Sequence, residues 1–235
     1  MVNRLVRSVA SIGLIVAGLA FQNSKAQASF VITASATGSA FAGASYGNLN
    51  GLALGSAGGV DGGGLSVAFI GDSAAAVQGD VRGQYSAPIL SGANNTFFGP
   101  PATGTDTTTY ASSGSGSVAL TFANGAQNYL GLLWGSVDNY NTLSFFDANN
   151  NSVGSIRGST ILELAEGGNP TGSQFVNIVS TLSFTRVVAS STSNSFEFDN
   201  VAFATVPEPS SIAMCGVASL IGLAVAKKRV KRTVA

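Results

Sequence analysis

"YLGLLWGSVDNYNTLSFFDANNNSVGSIRGS", residues 129–159, is the stretch on which the reading of the fold turns. Alternation puts Leu130, Leu132 and Trp134 on one face of an extended segment, and the pattern resumes in "NTLSFFDAN" and "SVGSIRGS". That period of two belongs to a strand with one face against a core. The intervening "DANNNSV" has the turn residues that tolerate left-handed backbone and bond their own main chain, so a hairpin is predicted from Thr142 to Ile156.

The same alternation recurs on either side. "SFVITASAT", "GLSVAFIGD", "GSVALTFAN", "QFVNIVS", "LSFTRVVAS" and "SFEFDNVAFA" are short runs bounded by Gly, Asn, Ser or Asp, which brings the number of predicted strands to nine. Long helical stripes are absent, and "STILELAEGG" is read as a further strand. The chain is therefore expected to be all-β, an antiparallel two-layer sandwich. Two long regions, Ala34 to Gly64 and Ser91 to Ser117, are rich in Gly, Ala, Ser, Thr and Asn and are read as binding loops or loosely ordered insertions. "TFFGPP" at Thr96 to Pro101 reads as a loop with an aromatic plug.

Composition narrows the chemistry. Charged residues make up 9% of the 235, against about 25% in an ordinary domain. Histidine is absent and the lone cysteine, Cys215, lies in a terminal apolar run, which excludes Cys/His zinc sites, histidine-dependent nucleophiles and disulfides. An enzyme is not expected; a secreted glycoside hydrolase working through two carboxylates is the remaining catalytic alternative. Between residues 29 and 206 only Arg82, Arg157 and Arg186 face ten acids, a net charge of −7 that argues against a nucleic-acid partner.

The ends read as addresses. Residues 1–28 combine a basic start, an apolar stretch from Val9 to Phe21 and the small pair Ala26 and Ala28 around Gln27, the pattern of a secretory signal peptide with an A-x-A cleavage site. Signal peptidase and the secretion machinery are the expected partners there. At the other end, Ser210 to Ala226 is free of charge for 17 residues, about 25 Å as a helix and near the lower limit for a membrane span. The cations Lys227, Lys228, Arg229, Lys231 and Arg232 would hold its far side in the cytoplasm, leaving the 29–205 domain outside.

Val206-Pro207-Glu208-Pro209, the apolar run and the basic tail together resemble the PEP-CTERM sorting signal of Gram-negative bacteria. The resemblance implies that residues 206–235 are a single transmembrane sorting helix with its motif and tail, cut by an exosortase. It also implies delivery of the domain to the cell surface or extracellular matrix, with a structural or adhesive role in exopolysaccharide or biofilm. "YLGLLWGSVDNYNTLSFFD", "QFVNIVS" and "SFEFDNVAFATVPEPSS" look like one subfamily of exosortase-dependent surface proteins. "FDNV" resembles the last strand of jelly-roll carbohydrate-binding modules, which implies a jelly-roll-like sandwich and, as the alternative function, recognition of a polysaccharide.

Two sets of residues carry candidate chemistry. Trp134, Asp138 and Tyr140 combine an aromatic face with hydroxyl-bonding groups, as a glycan site requires; the competing reading is a core Trp followed by a turn. Glu197 and Asp199 share a strand face and are candidate oxygen ligands for calcium, although a solvated sheet face explains them as well. Other than calcium, no cofactor is expected.

Overall fold

The computed structural model describes residues 27–165 and 172–207. Outside them lie residues 1–26, residues 166–171, and everything from Glu208 onward, including Pro209, the apolar run and the cations Lys227, Lys228, Arg229, Lys231 and Arg232. No helix among the described residues is long and apolar enough to cross a membrane.

The chain opens with β1 (Phe30–Ser35), β2 (Ser45–Gly47), β3 (Gly58–Asp61), β4 (Leu65–Ile70) and β5 (Ala75–Val77). The short β6 (Ile89–Ser91), β7 (Thr103–Thr105) and β8 (Tyr110–Ser112) come next, then β9 (Ser117–Phe122), β10 (Gln127–Trp134), β11 (Asn141–Phe146) and β12 (Ser152–Arg157). A helix, α1 (Gly158–Leu164), leads to β13 (Gln174–Phe184), β14 (Arg186–Ser191) and β15 (Glu197–Ala204). The larger sheet runs β1-β13-β10-β15-β8-β5, with β2 also paired to β15; the smaller runs β12-β11-β14-β9-β4-β3, and β6 pairs with β7. Every pairing among these strands is antiparallel.

All nine predicted runs are strands. Between Leu182 and Ser190 the chain turns at Thr185, so that run supplies the end of β13 and then β14. The hairpin is also as predicted: β11 pairs with β12, and Asp147 Oδ1 accepts the main-chain N–H of Asn149 at 2.9 Å and of Asn151 at 2.7 Å. Asn150 takes the left-handed conformation there, with φ 61°.

The two sheets close on one core. Leu130, Leu132, Trp134, Val176 and Ile178 of the larger sheet join Val67, Leu120, Leu143, Phe145 and Val187 of the smaller. Trp134 stacks on Phe196 with ring centroids 4.1 Å apart and planes 13° from parallel. Burial of each large apolar side chain contributes about 1.5–3 kcal/mol.

The larger sheet has a second apolar face. Tyr129, Leu133, Phe175 and Ala202 project away from the main core and pack under Ala40, Leu90 and Phe98. The two Gly- and Ser-rich regions are therefore neither free binding loops nor loose insertions over their whole length. Part of each forms a strap across the outer face of the sheet. Phe98 is the expected plug, lying edge-on to Tyr46 at 5.3 Å and tilted against Phe175 at 6.4 Å.

Two details depart from simple alternation. The register of β15 against β10 shifts between Gly131 and Leu133, where Asn200 has φ 52°, so the strand carries a bulge. Phe196 and Phe198 face the main core before it, and Val201 and Phe203 after it. The segment read as a strand at "STILELAEGG" instead begins with α1. It leaves β12, the edge of its sheet, where no further strand offers ladder bonds, so its backbone is satisfied by helical bonding. Ile161 is the fully buried anchor of that turn.

The fold ends on a clamp. The side chain of Asn128 donates from Nδ2 to the carbonyl of Val206 at 2.7 Å and accepts the Val206 N–H on Oδ1 at 2.7 Å. Val206 is buried, whereas Pro207 is exposed.

Replacing Trp134 with Ala should lower stability by about 3–5 kcal/mol in chemical denaturation, as expected for a large aromatic lost from a packed core. Trp134→Phe should cost much less, because the stack on Phe196 survives and the indole N–H, buried without a partner, is removed.

Candidate functional site

Antiparallel pairing brings the end of β10 beside the start of β15, with Trp134 opposite Phe198 and the Gly135 N–H bonded to the Glu197 carbonyl at 2.8 Å. The loop after β10 carries Ser136 and Asp138, and the approach to β15 carries Asn194 and Ser195. The segment from Asp80 to Ser86 closes over both, forming a cleft of about 300 Å³ lined by Asp80, Arg82, Tyr85, Asp138, Asn194 and Glu197. Asp80 fixes this closing segment by accepting the Ala87 N–H at 2.7 Å and the Ser86 hydroxyl at 3.2 Å on Oδ1.

The cleft gathers part of the predicted glycan set. Asp138 lines it, and Tyr140 borders it, donating its hydroxyl to the Asn194 carbonyl at 3.3 Å. Partial burial and then the neighbouring Asp138 carboxylate push the Tyr140 phenol up to about 12. Trp134 does not belong to the site. It is 0% exposed and spends its face on Phe196, so it offers no surface on which a sugar could stack. The half-buried Tyr85, packed edge-on against Tyr110 at 6.3 Å, is the aromatic ring that lines the cleft.

Asp138 is held from behind by a close backbone approach. A Cβ added at Gly158 would stand 1.9 Å from the Asp138 carbonyl oxygen, so only glycine lets the start of α1 pass there. The same carbonyl accepts the Asn141 N–H at 3.1 Å, closing the loop into a turn. The start of α1 thus sets the height of Asp138 in the cleft.

The expected carboxylate pair on β15 comes apart. Glu197 and Asp199 are both buried and are not on a solvated face. Glu197 Oε1 accepts the Ser86 N–H at 3.0 Å and the Ser195 hydroxyl, and Oε2 accepts the Ser136 hydroxyl at 2.7 Å. Its oxygens are committed to donors, so it is not a free ligand for calcium. Asp199 instead meets Asp106. Burial, and then the negative Asp106 beside it, hold the Asp199 carboxyl well above the usual carboxylate range. Among the described residues no three His, Cys, Asp or Glu side chains form a group that could hold a metal ion.

Asp80, Arg82, Tyr85, Asn194 and Asp106 were not singled out by sequence. The one local signal was "GDVRGQYS", where an Arg, an Asp, a Gln and a Tyr crowd into a stretch otherwise made of small residues. Its partner loops lie more than fifty residues away, and only the fold joins them. No protein-family model, curated protein or solved structure matches the chain. The site is therefore read from its own groups: an Arg, a carboxylate and amides suited to sugar hydroxyls, beside one aromatic edge.

The Tyr140 proton has a testable consequence. Its folded-state value lies above the ordinary 10, so the stabilisation it contributes is intact below pH 10 and is lost as pH rises through about 12. In an ultraviolet tyrosine titration, Tyr140→Phe should remove one ionisation from the region near pH 12 and leave the one belonging to Tyr129, which burial also pushes up to about 12.

Proposed function

We propose that this chain is an exported protein, processed by an exosortase and delivered to the cell surface or extracellular matrix. There it serves a structural or adhesive role among exopolysaccharide or in a biofilm. The observation that carries this reading is the three-part ending: Val206-Pro207-Glu208-Pro209, then 17 uncharged residues, then five cations. A secretory signal at the opposite end makes the topology consistent, with signal peptidase, the secretion machinery and the membrane as transient partners. On this reading the mature protein carries no catalysis.

The boundary of the fold supports the same view. The last strand closes at Ala204, the Asn128 clamp secures Val206, and Pro207 is exposed. A protease approaching the motif would meet it directly after a finished domain, and its two prolines disfavour a helix there. From β9 onward the chain passes repeatedly between the sheets, β9 to β10, β10 to β11, β12 to β13, β13 to β14 and β14 to β15. This winding favours the finer, jelly-roll-like description of the sandwich.

A second reading is a carbohydrate-binding module. It is favoured by the cleft, where Arg82, Asp138 and Asn194 converge beside Tyr85 with Asp138 only half-buried. A hydrolase with paired carboxylates has weaker support, because the oxygens of Glu197 are already held by an N–H and two hydroxyls.

Intact mass of the protein recovered from its host tests the main reading. The expected mass lacks residues 1–28 and the segment after the Pro-Glu-Pro motif, while Pro207→Ala combined with Glu208→Ala should accumulate as an uncut membrane-bound precursor. Normal processing of that variant would end the exosortase assignment. For the second reading, glycan-array binding by the wild type should fall at least tenfold in Asp138→Ala; an array with no bound glycan would overturn it.

A further inference from the structure

A second cleft, about 320 Å³, opens on the strap side of β15, with Asn48, Asn50, Asn95, Asp106, Thr108 and Asn200 in its wall. Behind it lie Asp106 and Asp199, each 1% exposed. Asp106 is anchored through its main chain, donating its N–H to the Pro88 carbonyl at 2.8 Å. Its Oδ1 accepts the Thr108 N–H at 2.8 Å and the Thr108 hydroxyl at 2.6 Å. Its Oδ2 is buried with no partner, and so is Oδ1 of Asp199. The two carboxyls are within hydrogen-bonding reach of each other, and neither can supply a donor while both are ionised.

The surroundings deepen the imbalance. Asp61 adds a third negative charge to the neighbourhood, and its oxygens are occupied by the N–H groups of Leu49 at 2.7 Å and Gly51 at 3.3 Å. The charges that act on Asp199 are all negative. Each of the two neighbouring carboxyls therefore keeps one buried oxygen without a partner, and no positive group acts on Asp199. Buried unpaired charges of this kind are retained where something compensates them.

The chemistry of the wall selects the species. The side-chain donors are carboxylate, amide and hydroxyl oxygens, with no nitrogen or sulfur ligand. Asn200 spends its amide N–H groups on the Asn94 carbonyl and on Asn95 Oδ1, leaving its own Oδ1 as a further acceptor. Calcium takes six to eight oxygens in irregular arrangements and accepts waters among them, whereas magnesium demands a strict octahedron and dehydrates reluctantly. We propose that Asp106 and Asp199 are the protein ligands of a calcium ion, completed by Asn200 and by waters entering from the cleft, which ties the strap to the central strand β15. Only two carboxylates contribute, so the affinity belongs with that of extracellular modules, a dissociation constant of roughly 10⁻⁴–10⁻³ M.

Thermal unfolding of the full chain, with calcium chloride raised to about 10 mM at constant ionic strength, reads the site directly. The wild type should gain several degrees in midpoint, a gain reversed by chelator and not reproduced by magnesium. Asp199→Asn should abolish the calcium response while the uncharged amide spares the metal-free fold, and Asp106→Asn provides the same loss independently if the first variant folds poorly. Asp138→Asn, in the other cleft, should keep the full response. A wild type indifferent to calcium would overturn the proposal and leave the pair sharing a proton. An equal response in wild type and both Asp variants would overturn it too, because the ion would then sit elsewhere.

Discussion

The double burial of the central strands β10 and β15 governs the rest of the molecule. An ordinary sandwich sheet shows one face to its partner and the other to water, but here every residue of β10 is buried, from Gln127 to Trp134. The outward Tyr129, Leu133 and Phe175 would expose a wide apolar patch if left bare. Covering them requires the strap, and the strap is built from regions too poor in large side chains to form a layer without the sheet beneath. One cleft arises where the Asp80–Ser86 segment meets the start of β15, and the other where the strap's polar residues meet Asn200.

That dependence explains the unusual treatment of charge. Three arginines face ten acids between residues 29 and 206, so buried carboxylates cannot all be matched with cations. Glu197 is instead satisfied by an N–H and two hydroxyls, Asp61 by two main-chain N–H groups, and Asp147 by the N–H groups of its own turn. Neutral donors of this kind stabilise a carboxylate without salt-sensitive pairing. Asp106 and Asp199 stand apart because part of this supply is missing there.

Much of the sandwich was legible because its long strands obey a period of two over five or more residues. The phase at Leu130, Leu132 and Trp134 is the one observed, and the Asp147 turn carries its own chemistry. The short strands β2, β3 and β5 to β8 escaped notice, since runs such as "TGT" and "YAS" have no alternation to read and exist only through their partners. One bulge at Asn200 was enough to reverse the phase of β15, and no local signal distinguishes that Asn from a turn residue. The helix at Gly158 was hidden because Ile161, Leu162 and Leu164 fit either period over so few residues. Of the site, Asp138 and Tyr140 were visible as a local polar and aromatic density, whereas Glu197, read from a separate pair on β15, joins them only through the fold. Arg82 and Asp106 reach their clefts through tertiary contacts alone, and Trp134 was the residue most easily mistaken for a binding platform.

The Asn128 clamp bears on how force would travel through the domain. Anything pulling on Pro207 first loads two short hydrogen bonds side by side, and beyond them the line of tension enters β15 along its length. That strand lies inside the larger sheet, flanked by β10 on one side and by β8 and β2 on the other. Its ladder is strained in shear, so many bonds share the load together, whereas a terminal edge strand would peel away one bond at a time. A body tethered at this point transmits tension into a strand buried on both faces.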